Sequence, residues 1–295
     1  MSGTCFGYEV DSPLAFHYLR PGTARTVLRI TEDSLDEGIT EFGDLLEETH
    51  PGDGGTIRVY SRPGEYHVWM QHAGWFQVDP HRPAITVPPS PHPEWREALI
   101  WGLPMALCLI ERGDLVLHAA SVEVNGRGLA LAGPSGQGKS TLTAAFVRAG
   151  HRLLSDDLTP CRITDGWRVT PGPTLLRLRH ETVARLPVPG SQQVAQDVDK
   201  VHLRVESGAG EVELAGLVLV KGPSGSPRLE RADAVECLPD LWAVSLNIPT
   251  DEGRAHCFRQ IGALAASLPV WELAIRPGVD ELPEVVKTLI DTCLP

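Results

Sequence analysis

The run GPSGQGKS, Gly133–Ser140, combines glycines, one lysine and one hydroxyl at the spacing GxxxxGK[ST]. Gly133, Gly136 and Gly138 permit backbone conformations and close approaches that a Cβ would block. Successive N–H groups can then turn inward as an anion nest. Lys139 is expected to reach the β- and γ-phosphates of a nucleotide, and the Ser140 hydroxyl to ligate Mg²⁺. Pro134, Ser135, Gln137 and Thr141 complete the stretch expected to wrap the phosphates. An apolar strand before it and an amphipathic helix after it put the positive end of a helix dipole at the same place.

Two adjacent acids, Asp156 and Asp157, end the run HRLLSDD, with 16 residues between Lys139 and Asp156. If strand, helix and HRLLS strand form a right-handed βαβ unit, the two strands are parallel neighbours. Their ends then share the edge where ligands of open α/β sheets bind. Side chains of adjacent residues diverge. One carboxylate can serve Mg²⁺ while the other faces an incoming hydroxyl, as phosphoryl transfer to an alcohol requires. The structural alternative is a solvated turn or a helix cap. His118, on the strand before the loop strand, is a second candidate, although a histidine in an apolar strand is more often a packed core residue.

The elements that must carry these groups are legible in outline. LVLHAASVEV, NGR and GLALAG read as strand, three-residue turn and strand, with Asn125-Gly126 as the hairpin signal. Leu142, Ala145, Phe146 and Ala149 lie on one helix face, and Gly150 is placed to end that helix. ELAGLVLV reads as a buried strand. It ends in lysine and glycine, so the usual downstream Walker B acid is absent there. No NKxD or LSGGQ-like motif accompanies the loop. Residues 180–212 carry clusters of Pro, Gly, Ser and Gln and read as a mobile loop region. Helices are expected near 231–246 and 252–267, WELAIRP as a last strand, and an amphipathic helix through Leu282, Val285, Val286, Leu289 and Ile290.

Residues 1–92 read as a β-rich region suited to substrate binding, with TIRVYS, YHVWMQ and GWFQV as strands. Within it, Thr31–Gly55 holds nine acids and no Lys or Arg. That reads as a solvated loop or helix face, or a docking surface for a basic partner. PPSPHP, Pro88–Pro93, is the candidate boundary, and 93–295 the catalytic domain. One apolar helix is expected from Glu94 to about Glu111.

The 295 residues carry a net charge of −12, which argues against a nucleic-acid partner. Six widely spaced cysteines suit reduced thiols in a cytoplasmic protein. The N-terminus lacks the pattern of a signal peptide, and the longest apolar run, Leu99–Ile110, is too short to span a bilayer.

The stretch Leu117–Asp157, LHAASVEVNGRGLALAGPSGQGKSTLTAAFVRAGHRLLSDD, resembles the catalytic core of the HPr kinase/phosphorylase family. A histidine-led strand, a turn, a strand into a Walker A loop, then GHRL and two aspartates stand in the family's order and spacing. The resemblance implies an α/β P-loop kinase core similar to phosphoenolpyruvate carboxykinase. It implies ATP- and Mg²⁺-dependent transfer to a serine of a peptide or protein. By the same resemblance Asp156 is similar to the general base, Asp157 to the acid near Mg²⁺, and His118 to the active-site histidine. VELAGLVLV stands where phosphorylase-competent members have LEIRGLGII. Glu213 is retained as a candidate metal ligand, and Ala215 replaces arginine, which leaves dephosphorylation without support. The chain looks closer to short relatives that phosphorylate ribosomal precursor peptides, such as lasso-peptide precursors, and the family tends to form homo-oligomers. Lys200, Arg177 and Arg179 are candidate clamps for substrate or phosphate. Two other functions compete: a kinase for a free amino acid or sugar alcohol, and a nucleotide sensor without transfer chemistry.

Overall fold

Alternation of apolar and polar residues along short Gly- and Pro-bounded runs makes the N-terminal part a sheet. In the computed structural model, which describes residues 3–34, 43–50, 55–208, 210–222, 227–275 and 278–294, packing divides the chain into two units. The first comprises Met1–Asp114 and Asn247–Arg254; the second comprises Leu115–Leu246 and Ala255–Pro295. Among the described residues no helix is long and apolar enough to cross a membrane.

The first unit holds β1 (Thr4–Cys5), β2 (Tyr8–Asp11), β3 (Thr26–Glu32), β4 (Asp44–Thr49), β5 (Ile57–Arg62), β6 (Glu65–Met70), β7 (Gly74–Asp79) and β8 (Ala84–Val87). They form one sheet in the order β1-β2-β3-β8-β7-β6-β5-β4. One face buries Leu28, Ile30, Val59, Val68, Phe76, Val78 and Ile85. The expected helix over 94–111 is two helices, α1 (Pro93–Ile100) and α2 (Leu103–Glu111), because Gly102 and Pro104 interrupt it. Both group with this sheet, so the packing division falls after Asp114 and not within Pro88–Pro93. Arg112 donates to the Phe6 carbonyl at 2.7 Å and the Tyr66 hydroxyl to Glu111 at 2.6 Å, which ties α2 to the strands. Part of the acidic stretch is neither loop nor helix but the edge strand β4; its residues 35–42 and 51–54 lie outside the described ones.

The second unit is built on a ten-stranded sheet. Its elements are β9 (Leu115–Leu117), β10 (Ala119–Val124), β11 (Arg127–Ala132), α3 (Lys139–Arg148), β12 (Arg152–Ser155), β13 (Thr159–Ile163) and β14 (Trp167–Val169). There follow β15 (Leu175–Arg179), α4 (His180–Arg185), β16 (Gln192–Gln196), β17 (Lys200–Arg204), β18 (Val212–Lys221) and β19 (Arg228–Arg231). Last come α5 (Leu238–Ala243), β20 (Ser245–Leu246), α6 (Asp251–Ser267, its first turn counted with the first unit), β21 (Val270–Ala274) and α7 (Leu282–Cys293). The strand order is β12-β10-β11-β18-β14-β13-β9-β20, with β21 pairing β18 and β19. Alternate residues of the central strands bury against opposite layers. Leu129 and Leu131 of β11 face α3 and α7, whereas Ala130 and Ala132 join the cluster containing α6.

Four expectations change here. The strand expected over LVLHAASVEV breaks at His118, whose N–H bonds the Val244 carbonyl at 2.6 Å. The β10–β11 turn has two residues, Asn125 (φ 52°) and Gly126 (φ 81°), the positive-φ pair that suits a tight hairpin. Residues 180–212 are not a loop region: α4, β16 and β17 lie there, and β15-β17-β16 make a small antiparallel sheet. Leu176, Leu178, Val201 and Leu203 bury one face of that sheet in the α3–α7 layer, and this apolar periodicity outweighs the local turn-forming residues. The helix expected near 231–246 shortens to α5.

Candidate active site

The loop leaves β11 at Gly133, which lies against β18. A Cβ on Gly133 would meet the Val220 carbonyl oxygen at 2.4 Å. Gly136 and Gly138 adopt φ of 82° and 92°, and Gly138 is the N-cap of α3. Lys139 is buried. Its Nζ donates to the Gly133 and Pro134 carbonyls at 2.7 and 3.1 Å, so the ammonium already lies inside the loop. Burial lowers its pKa, Asp156 opposes that shift, and Lys200 adds to it.

Asp156 and Asp157 reach this loop by a route the βαβ reading misses. β12 does not pair with β11. It pairs antiparallel with β10, which pairs antiparallel with β11, so β12 and β11 are parallel with one strand between them. The aspartates therefore still emerge at the loop's edge of the sheet. Asp156 is 8% exposed, and both its oxygens are engaged. Ser140 Oγ donates to Oδ1 at 3.3 Å, and the Arg177 backbone N–H to Oδ2 at 2.9 Å. Asp157 turns the other way, at φ 65°, and pairs with the Arg177 guanidinium. A non-glycine residue in this left-handed region, in a turn held by so many contacts, marks a geometry set by its surroundings.

His118 Nδ1 lies 3.1 Å from the Asp157 carbonyl oxygen. A carbonyl only accepts, so Nδ1 carries the proton and Nε2 keeps its lone pair. Burial first, then Lys139, pushes the His118 pKa down to about 4, against the opposing pull of Asp156. The neutral ring is thus favoured in the folded protein, and its contribution to stability is complete above pH ~6.5. It is lost as pH falls from ~6.5 toward 4, where the unfolded state binds the proton first. His118→Asn should flatten part of the decline in melting temperature over that interval, measured by circular dichroism. His202 and His151, whose pKa values burial also lowers, retain a further share of the decline.

Sequence reasoning missed the layer beneath the aspartates. Ser121 and Ser155 hydroxyls lie 2.7 Å apart, Ser155 lies 2.9 Å from Thr159, and Thr159 donates to the Ala119 carbonyl at 2.8 Å. All three hydroxyl residues are fully buried. The chain of bonds joins β10, β12 and β13 where Ser155 hands the chain to Asp156. Its only sequence signal is a hydroxyl at one position in each of three apolar strands. A second missed pair is Asp197 with His202, whose Nε2 is 3.1 Å from Oδ2. His202 is 1% exposed and its Nδ1 has no partner among the described residues.

Of the residues singled out by sequence, the loop residues, Asp156, Asp157, His118 and Arg177 converge. Lys200 and Arg179 face each other across β15 and β17 beside them, and the Lys200 charge acts on Lys139 and His118. Glu213 is not brought in. It is exposed and lies opposite Arg127, at the start of β11, and Arg168 in the strand register. The loop begins beyond Ala132, five residues along the strand, roughly 16 Å away.

Sequence comparison finds similarity to HPr kinase/phosphorylases over short segments. A segment of 59 residues is 37% identical to HPr kinase/phosphorylase of Clostridium botulinum strain Eklund 17B, covering 20% of this chain and 19% of the relative. One of 53 residues is 47% identical to the enzyme of that name from Lactobacillus delbrueckii subsp. bulgaricus, covering 18% and 16%. The chain is HPr kinase-like over this part. It spans less than a fifth of the length of these HPr kinase/phosphorylase relatives. No family model matches the sequence. The Hpr(Ser) kinase/phosphatase structure from Coxiella burnetii aligns over 60% of this chain and 93% of its own, at 13% identity and a TM-score of 0.32.

Proposed function

We propose that this protein is an ATP- and Mg²⁺-dependent kinase that phosphorylates a serine hydroxyl of a peptide or protein, with a ribosomal precursor peptide as the acceptor. The observation that carries the reading is the Ser140–Asp156 contact. It joins the hydroxyl of a glycine-rich loop to a carboxylate at the same sheet edge, with a second carboxylate adjacent. The P-loop reading of Gly133–Thr141 is supported by the inward Lys139, by Gly133, where no side chain fits, and by the two positive-φ glycines. On this reading the core would share its plan with phosphoenolpyruvate carboxykinase, as the family resemblance implies.

The loop N–H groups and Lys139 would hold the triphosphate. Ser140 and Asp156 are hard oxygen donors suited to Mg²⁺. Among the described residues no cluster of three or more His, Cys, Asp or Glu side chains could cage a metal, so phosphate oxygens and water would complete its shell. ATP with Mg²⁺, when bound, supplies the transferable phosphoryl group and neutralises its charge.

The geometry favours a division of labour opposite to the one the family resemblance implies. Asp156, pinned by two donors and touching Ser140, serves the metal side. Asp157, 23% exposed and on the open side of the turn, accepts the serine proton once Arg177 swings to the phosphate. His118 orients that turn through the Asp157 carbonyl. The six cysteines are all buried thiols, which supports a cytoplasmic protein.

The deciding experiment incubates the full chain with Mg·ATP and a panel of serine-containing peptides and free hydroxyl metabolites. The expected result is a gain of one phosphate on serine peptides, read by mass spectrometry and absent with Lys139→Ala. Phosphorylation of metabolites alone would replace the peptide-kinase reading by a small-molecule one. Nucleotide binding with no phosphorylated product would make the protein a sensor.

A further inference from the structure

The strands β15, LLRLR, and β17, KVHLR, carry three arginines, one lysine and one histidine and no acid, in a chain whose net charge is −12. Register places Arg179 directly opposite Lys200, Arg177 opposite His202, and Leu175 opposite Arg204. These residues share one face of the small sheet, because cross-strand partners point the same way. They cannot turn inward, since Leu176, Leu178, Val201 and Leu203 fill the other face with core.

Like charges directly opposite on neighbouring strands destabilise a sheet. Here no ion pair among the described residues offsets that repulsion at one end, and Asp156 and Asp197 oppose it only through space. Among the described residues neither Lys200 nor Arg179 forms an ion pair, although Arg177 beside them pairs with Asp157. Lys200 is half-buried, and burial, then Arg177, lowers its pKa, with Arg179 adding to the shift. Asp197 does not relieve it by a salt bridge. Its carboxylate accepts the backbone N–H groups of Asp199 and Lys200 and binds His202, which builds the β16–β17 turn. At the tip of that turn Val198 is 94% exposed.

We infer that this end of the small sheet binds the acceptor peptide through an acidic side chain near the serine to be phosphorylated, with Arg179 and Lys200 as the carboxylate clamp. The inference rests on the kinase reading and names its substrate class. The spacing along β15 suits a carboxylate of the peptide that carries the serine. The Arg177 N–H fixes Asp156, and Arg179 lies two residues further along β15, about 7 Å from it. An extended peptide covers that span in two residues, which places the acid two or three positions from the serine. Val198, beyond Lys200, offers an apolar contact to the next part of the same peptide.

A serine-centred peptide library, with Asp, Ala or Lys at each flanking position, tests this with the full chain and Mg·ATP. The expected result is preference for Asp two or three positions from serine, as a lower KM. Arg179→Glu should reverse that preference toward Lys by about tenfold or more, consistent with attraction replaced by repulsion. Arg179→Lys should retain the acidic preference, and melting temperature should not fall in either variant, because the side chain is exposed and glutamate opposite Lys200 removes the repulsion. Affinity for a non-hydrolysable ATP analogue should change less than about threefold, a comparison read by calorimetry. Serine phosphorylation without preference for acidic neighbours overturns this inference and leaves the kinase reading standing. Weakened nucleotide binding in Arg179→Glu, with peptide preference unchanged, reassigns the clamp to the nucleotide and also overturns it. Failure to phosphorylate any acceptor overturns the kinase reading, and this inference with it.

Discussion

Asp156→Asn should reduce transfer to serine on the order of 10³-fold, the scale seen when a group that stabilises transition-state charge is removed. The cause is specific to its two contacts. The asparagine oxygen can still accept from Ser140, but its amide would then face the Arg177 N–H, donor against donor. An unsatisfied buried N–H costs about 1–3 kcal/mol, so a lower melting temperature should accompany the loss of activity. Loss of the negative charge beside Ser140 should also raise the Mg²⁺ concentration for half-maximal activity. Asp157→Asn separates the roles. It should lower kcat by about 10²–10⁴-fold, the usual contribution of a general base, with the Mg²⁺ requirement unchanged. Single-turnover assays across a Mg²⁺ titration distinguish the two. An Asp157→Asn variant with a raised Mg²⁺ requirement and an Asp156→Asn variant without one would restore the assignment implied by family resemblance.

Gly133→Ala should have the second large effect. Its φ of 143° is costly for any side chain, and the new Cβ would lie 2.4 Å from the Val220 carbonyl oxygen. That oxygen belongs to the central strand β18, so relief requires moving backbone. Strain of this kind costs roughly 1–3 kcal/mol, and steric overlap a similar amount. The expected outcome is a lower urea midpoint together with at least a tenfold loss of ATP affinity, because the loop starts from the displaced residue. Gly136→Ala is the control. Its φ is also positive, but nothing lies within 4 Å of the added Cβ, so only the backbone strain of about 1 kcal/mol applies. Equal effects of the two substitutions would show that close packing of the loop against β18 plays no part.

The sequence by itself determined what depends on short-range backbone chemistry. Glycines at 133, 136 and 138, followed by Lys139 and Ser140, dictate a loop that opens a helix, because positive φ and close approach are cheap only for glycine. Asn125-Gly126 dictates the hairpin for the same reason. The buried strand at 212–221 and the last helix were legible from apolar patterning. The tertiary structure decided everything that depends on which strands pair. Insertion of β10 between β11 and β12 brings Asp156 to Ser140 without the adjacent parallel pair that the βαβ pattern suggests. The β11–β18 register carries Glu213 to the far end of the sheet, although its motif placed it among the site residues. Non-local hydrogen bonding likewise folds β15, β16 and β17 into a sheet from a stretch whose local composition reads as loop. Pairing partners far apart in sequence leave no local trace in either strand, and it is that pairing which sets Lys200 against Arg179 and the hydroxyls of Ser121, Ser155 and Thr159 beneath the two aspartates.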